Sequence, residues 1–296
     1  MRRLSLTLLC LGVVAGVGCK TPQFYNPAAQ KHDLPPPSYT PTAEELVKHL
    51  NENARHVSSL ECNDDLSITI RQGVQEFSVS GMLQFQKPRN FRLTAEKFNT
   101  SQADIGSNDQ EFWFWLKQNN PPSLFFCNYD DFAKMQSSPL PVHPDWIAEA
   151  MCLQELNPNA QYQVRKSGTY SLDLISNSVS PQGVSLQKII TVGHGGRHNG
   201  RIIGQRIRSQ DGKEMWTAEI REYQDILGYS IPKTVLLRCP AEKLEMKFRL
   251  NRCKVNGLQA GNTGNLFKRP TIQGTPIVDL ASIYRPSAIR RVRGQN

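Results

Sequence analysis

No catalytic signature runs through these 296 residues. The patterns GxSxG, HExxH and the P-loop are all missing, and each would set a nucleophile, a metal or a phosphate cradle at fixed spacing. Histidine is scarce, six in all, and the one close pair, His194 and His198 in "GHGGRHNG", has no carboxylate or cysteine beside it. A Gly-rich, solvent-exposed hairpin loop is the reading that follows, and not a metal site. CxxC is missing too, which argues against thiol redox catalysis. The sequence therefore nominates no catalytic residue, no cofactor and no metal, and the expected protein is not an enzyme.

Acidic residues are in short supply, 26 against 35 Lys and Arg, for a net charge of +9. The excess sits at the ends. Arg2 and Arg3 carry two of the nine charges, and residues 259–296 carry a net five through Lys268, Arg269, Arg285, Arg290, Arg291 and Arg293 against Asp279. The body between is nearly neutral, so a nucleic-acid-binding face is not indicated.

Long apolar runs are limited to one, at the start. Met-Arg-Arg is followed by "LSLTLLCLGVVAGVGC", uncharged and short for a permanent span, and then by Lys20. A cationic start, a short apolar core and small residues at its end make an export signal over 1–18. Ala15-Gly16-Val17-Gly18-Cys19 resembles a bacterial lipobox, although Gly16 stands where leucine is usual. The resemblance implies that Cys19 carries diacylglycerol, whose paired chains anchor more firmly than one chain can. Ordinary cleavage near Gly18 and an uncleaved anchor are the alternatives. Lys20, and not aspartate, follows the cysteine, so the expected location is the bacterial cell envelope, lipid-anchored at the outer membrane and facing the periplasm.

Residues 19–41 are proline-rich and without apolar periodicity, a semi-stiff tether. From 259 to 296 the chain is rich in Gly, Pro, Asn and Arg with short apolar islands such as "PIVDLASIY", and reads as a basic, disordered tail that could touch an anionic envelope surface. Between them, 42–258 opens with a capping box, Thr42 and Glu45, before Leu46, Val47, Leu50, Ala54 and Val57 at helical spacing. The period then changes to two: β-like runs punctuated by Gly, Pro, Asn and Asp describe a long antiparallel sheet. One short helix interrupts it, starting at Pro144 and running to Leu156. Asp211-Gly212 marks the strongest hairpin turn. Of seven cysteines, Cys10 lies in the leader and Cys19 is assigned to lipid. Five remain, so at least one is free or pairs between chains, and their connectivity stays open.

Gly81–Arg92 follows the form G-x-L-x-F-x-x-P-x-x-F-R and precedes a polar turn and the aromatic strand "NDQEFWFWLK". This order, with "YSLDLI", "RIRSQDGKEMWTAEIREYQDI" and "YSIPKTVLLRCP" beyond the helix, resembles the LolA/LolB-like outer-membrane lipoprotein carriers and receptors. The resemblance covers about two thirds of the chain. It implies a mainly β (α+β) fold: a curved, unclosed antiparallel half-barrel sheet with helices covering an apolar concave face that receives lipid or lipoprotein acyl chains. By strand alternation, Val79, Leu83, Phe85, Phe91, Leu93, Phe112, Phe114 and Leu116 line that hollow. Trp113 and Trp115 then point outward. The plainer alternative packs all eight beneath the helix over 42–58. Receptors of this family expose an apolar membrane-inserting loop, for which "NNPPSLFF" at 119–126 is the nearest match. The alternative function is a scaffold lipoprotein with a filled hollow and no lipid cargo.

If Cys19 is the anchor, mass spectrometry of membrane-extracted protein finds an acylated Cys19 as the mature amino terminus, and Cys19→Ser shifts the protein to the soluble fraction. An unacylated terminus would remove the anchor.

Overall fold

A computed structural model describes residues 38–119, 121–135, 144–180, 183–258 and 263–284. The leader, the tether up to residue 37 and the last twelve residues lie outside these. Helix α1 (Ala43–His56) starts as its sequence demands: the Glu45 amide donates to the Thr42 hydroxyl at 3.2 Å, and the Thr42 amide donates to the Glu45 carboxylate at 2.8 Å. Five antiparallel strands follow, β1 (Ser59–Gln72), β2 (Gln75–Gln86), β3 (Asn90–Lys97), β4 (Thr100–Ser107) and β5 (Glu111–Leu116), then β6 (Leu124–Asn128). Two short helices, α2 (Tyr129–Phe132) and α3 (Pro144–Ala150), separate these from a second meander. Its strands are β7 (Tyr162–Gly168), β8 (Ser171–Val179), β9 (Ser185–Gly193), β10 (Ile202–Ser209), β11 (Glu214–Ile226), β12 (Tyr229–Cys239) and β13 (Leu244–Leu250). The chain closes with β14 (Lys254–Val255), β15 (Ile277–Asp279) and α4 (Leu280–Tyr284).

All the strands belong to one sheet in the order β15-β6-β5-β4-β3-β2-β1-β13-β12-β11-β10-β9-β8-β7, with β14 on β1. Long β1 is the joint between the two meanders, pairing β2 on one side and β13 on the other. The ends of the order, β15 and β7, are not paired with each other, so the sheet is unclosed. It is also strongly bent. Helix α3 packs on β4 and equally on β11 and β12. Across a flat sheet β4 and β11 would lie about 29 Å apart at the usual ~4.8 Å per strand, whereas seven helical residues span about 10 Å.

The inside of the bend is the main core. Leu83, Phe85 and Phe91 from one limb, Val235, Leu237 and Phe248 from the other, and Ile147, Ala148 and Met151 of the α3 region form one buried cluster. Trp146 of α3 meets Trp216 of β11 with ring centroids 6.2 Å apart. Helix α3 stops at Ala150, short of Leu156, because Cys152 takes a left-handed φ of 56° that no helix continues through.

Two further differences from the sequence expectation concern the ends of the fold. Residues 263–284 are ordered against the sheet, contrary to the reading of a tail disordered from 259. Arg92 Nη1 donates to Leu266 O at 2.9 Å, Asn108 Nδ2 donates to Phe267 O at 3.0 Å, and the Arg269 guanidinium lies 3.6 Å over the Phe126 ring. The island "PIVDLASIY" then adds β15 in parallel to β6 and seats Leu280 and Ala281 against Phe112. Composition averages over such islands, and a few well-placed anchors outweigh the average. The disulfide is located as well: Cys62 on β1 bonds Cys253, 191 residues later, while Cys152 and Cys239 are free thiols.

That bond ties the first strand to the last turn of the second meander, both in the core. Replacing both cysteines with alanine lowers stability by about 2–5 kcal/mol, read as an earlier thermal transition; an unchanged transition would show the bond to be dispensable.

Candidate functional site

Strand β5 is apolar on both faces, and its register explains why. Phe112, Phe114 and Leu116 stand opposite Ser107, Ile105 and Ala103 of β4. Ile105 and Ala103 pack on the main core inside the bend. Trp113 and Trp115 face outward, where they form a buried cluster with Leu124, covered by Phe126 and by Ile272 of the returning tail. Trp113 Nε1 donates to Asp104, which also pairs with Arg92 at 2.7 Å. Opposite Trp113 is Gly106, where any Cβ would fall 2.3 Å from the indole. The second apolar face is therefore a seat for the chain's own C-terminal segment.

The residues nominated for a hollow divide into groups. Val79, Leu83, Phe85, Phe91 and Leu93 are buried together in the main core, under α3 and not under α1. Phe112 is buried in a separate cluster with Cys127, Phe132, Met135, Leu280 and Ala281. Phe114 is half-buried and stacks on Phe125, centroids 5.1 Å apart. Leu116 is half-buried at the end of its strand. The structure brings the first five together and the last three apart from them. In "NNPPSLFF", Asn120 lies outside the described residues, and Leu124–Phe126 form part of β6 with Leu124 fully buried.

Open space lies elsewhere. A cavity of about 320 Å³ sits beneath α1, between that helix, the segment after α3, and β10, β11 and β12. Helix α1 lays Leu46 and Val47 on Leu172, Leu174, Ile190 and Val192 of β8 and β9. Two asparagines pin it on either side of the cavity. Asn51 Nδ2 donates to Leu156 O at 2.9 Å and its Oδ1 accepts from Leu156 N at 2.7 Å. Asn53 Nδ2 donates to Ser230 O at 3.0 Å and its Oδ1 accepts from Ser230 N at 2.9 Å. Asn256 holds the helix's end, donating to His56 O and accepting from Ser58 N at 2.8 Å.

Three other polar groups on the wall are matched, while the Ser230 hydroxyl is buried without a partner. His49 Nε2 lies 3.0 Å from Gly200 O and so carries the proton. Gly200 has a φ of 73°, and a Cβ there would come within 2.6 Å of the same nitrogen. Arg201 pairs with Asp225 at 3.1 Å, and Tyr223 donates to Ile202 O at 2.5 Å. Burial drives the Tyr223 hydroxyl pKa well above its ordinary value, and burial pushes the Cys152 thiol up to about 11. Both are neutral across physiological pH. The cavity thus presents apolar side chains, polar groups bonded to the protein, and the buried unpaired hydroxyl of Ser230.

Sequence reasoning missed this cavity, although one signal was available: Asn51 occupies a position on the apolar stripe of α1 and is 3% exposed. A buried amide among aliphatics has a bonding duty. The His194–His198 turn also differs from the exposed loop expected, since His194 is 8% exposed and His198 is half-buried beside Tyr223. Among the described residues no three His, Cys, Asp or Glu side chains converge as metal ligands, and no helix is long and apolar enough to cross a membrane.

No family model matches the chain, and no curated protein matches it. Solved structures do. A putative outer membrane lipoprotein-sorting protein domain from Vibrio parahaemolyticus superposes with a TM-score of 0.52 at 10% identity, over 77% of this chain and 100% of that one. The fold is LolA-like. A DUF1329 family protein from Desulfovibrio piger gives 0.51 at 10% identity, over 76% and 98%. A LolA superfamily protein from Nitrosomonas europaea gives 0.49 at 12% identity, over 78% and 99%.

The clamps carry a measurable share of stability. Asn51→Ala leaves the Leu156 amide and carbonyl without partners and costs about 1–3 kcal/mol. Denaturant unfolding reads this as a lower midpoint at unchanged slope; no shift would mean that water replaces the side chain at no cost.

Proposed function

We propose that this protein is a non-catalytic envelope lipoprotein, anchored through Cys19, that binds lipid or lipoprotein acyl chains on the inside of its bent sheet. Helices α1 and α3 serve as the cover of that face. The site is the cavity beneath α1. The observation that carries the reading is the wall beneath α1: a guest displaces water from apolar surface without breaking any bond of Asn51, Asn53 or Tyr223. The outer membrane lipoprotein-sorting description of the Vibrio structure points the same way.

The arginines at 285, 290, 291 and 293, which lie outside the described residues, are the basic groups assigned in this reading to an anionic envelope surface. Arg269, by contrast, is occupied by Phe126 and Glu111.

A second reading, a scaffold lipoprotein without cargo, is favoured by one fact. Val79, Leu83, Phe85, Phe91 and Leu93, the residues best placed to greet a guest, are already packed shut.

A fluorescent acyl probe titrated into delipidated mature protein separates the two. Saturable binding in the micromolar range is expected, weakened at least ~10-fold by Ala54→Trp, which fills the cavity. No saturable binding leaves the scaffold.

A further inference from the structure

We infer that the cavity beneath α1 takes one aliphatic chain of a single-chain amphiphile, a free fatty acid or a lysolipid, and does not hold the two or three chains of a phospholipid or lipoprotein together. The inference rests on the reading above that this cavity binds acyl chains, and it narrows the class of guest.

Volume is the first argument. At roughly 30 Å³ for a water-sized unit, and a methylene is of similar size, about 320 Å³ holds on the order of ten methylenes. A second chain of that length has no room. Nor can the space spread along the sheet. On one side the inside of the bend is closed by Ile147, Met151, Trp216 and Phe248, all buried in the main core. On the other, Leu46 and Val47 sit on β8 and β9.

Rigidity is the second. Widening the cavity means lifting α1, and that helix is held by four hydrogen bonds from Asn51 and Asn53 and by the Asn256 cap at its end. Protein interiors with such matched partners do not dilate continuously.

The distribution of polarity is the third. Leu50, Ala54, Leu156, Ile202, the neutral Cys152 and the Tyr223 ring supply the wall for a chain. His49 and Glu52 are exposed and Arg201 is one-third exposed, so the polar groups stand where the cavity meets water and a head group remains hydrated there. Arg201 is matched by Asp225, so it makes no strong demand for an anionic head group. One chain inside and one head outside is the geometry of a single-chain amphiphile.

The test uses the mature full chain, a fluorescent acyl probe and three classes of competitor: straight-chain fatty acids of roughly six to sixteen carbons, dodecanoyl lysophosphatidylcholine and didodecanoyl phosphatidylcholine. A second readout is alkylation of Cys152 by N-ethylmaleimide at pH 9, followed by peptide mass spectrometry. Cys127 and Cys239, buried elsewhere, serve as controls for unfolding.

Both single-chain arms are expected to displace the probe and slow Cys152 alkylation, at least ~10-fold more effectively than the two-chain lipid. Affinity should rise roughly fourfold per methylene up to about ten and then level off. Equal competition by the two-chain lipid, or gains continuing well past twelve carbons, overturns the inference while leaving acyl binding intact. Displacement without protection of Cys152 places the chain elsewhere and also overturns it. No binding of the probe at all removes the acyl-binding reading itself.

Discussion

A sheet bent until one short helix touches both of its limbs must bury its own inner face, and the rest of the molecule follows from that demand. Helix α3 meets most of it, wedging Trp146, Ile147 and Met151 between β4 and β11–β12. Helix α1 packs over β8 and β9. The two helices do not tile the surface completely. The gap between them is the cavity, and asparagine-to-backbone bonds keep it from collapsing: an amide bonding two backbone groups at once fixes a distance as well as a direction.

Much of this was legible in the residues. The capping box at Thr42 and Glu45 starts α1 where it should, the period-two runs mark nearly every strand, and Gly212 takes the positive φ that Asp-Gly turns favour. Five of the eight residues nominated for the inner face are neighbours there, since alternation along a strand is a local rule. What failed is non-local. Whether Leu83 and Phe91 line a void or a core depends on α3, which carries no mark of which strands it will touch. The cavity escaped because its walls come from three stretches far apart in sequence: α1, the segment after α3, and β10 to β12. The Cys62–Cys253 pair was undecidable for the same reason.

The doubly apolar strand β5 shows how one local anomaly can signal a distant partner. Two tryptophans on the outer face would be costly in water. Residues 263–284 answer them by crossing the outer face at Phe267 and Ile272 and rounding the edge as β15, with α4 packing against Phe112. An exposed-looking aromatic row and a Pro-rich terminal segment with apolar islands are two halves of one contact. Neither half is interpretable alone.

The placement of β15 has a consequence for the protein at high concentration. An open sheet offers two rows of unpaired backbone groups on which a neighbouring chain can crystallise into a fibre. At one border the molecule finishes with a three-residue parallel strand, too short to template another. At the other, β7 exposes Arg165 and Lys166 along its length, so a second copy approaching that row meets its own charge. The same incompleteness that leaves the sheet open is thus fenced against polymerisation.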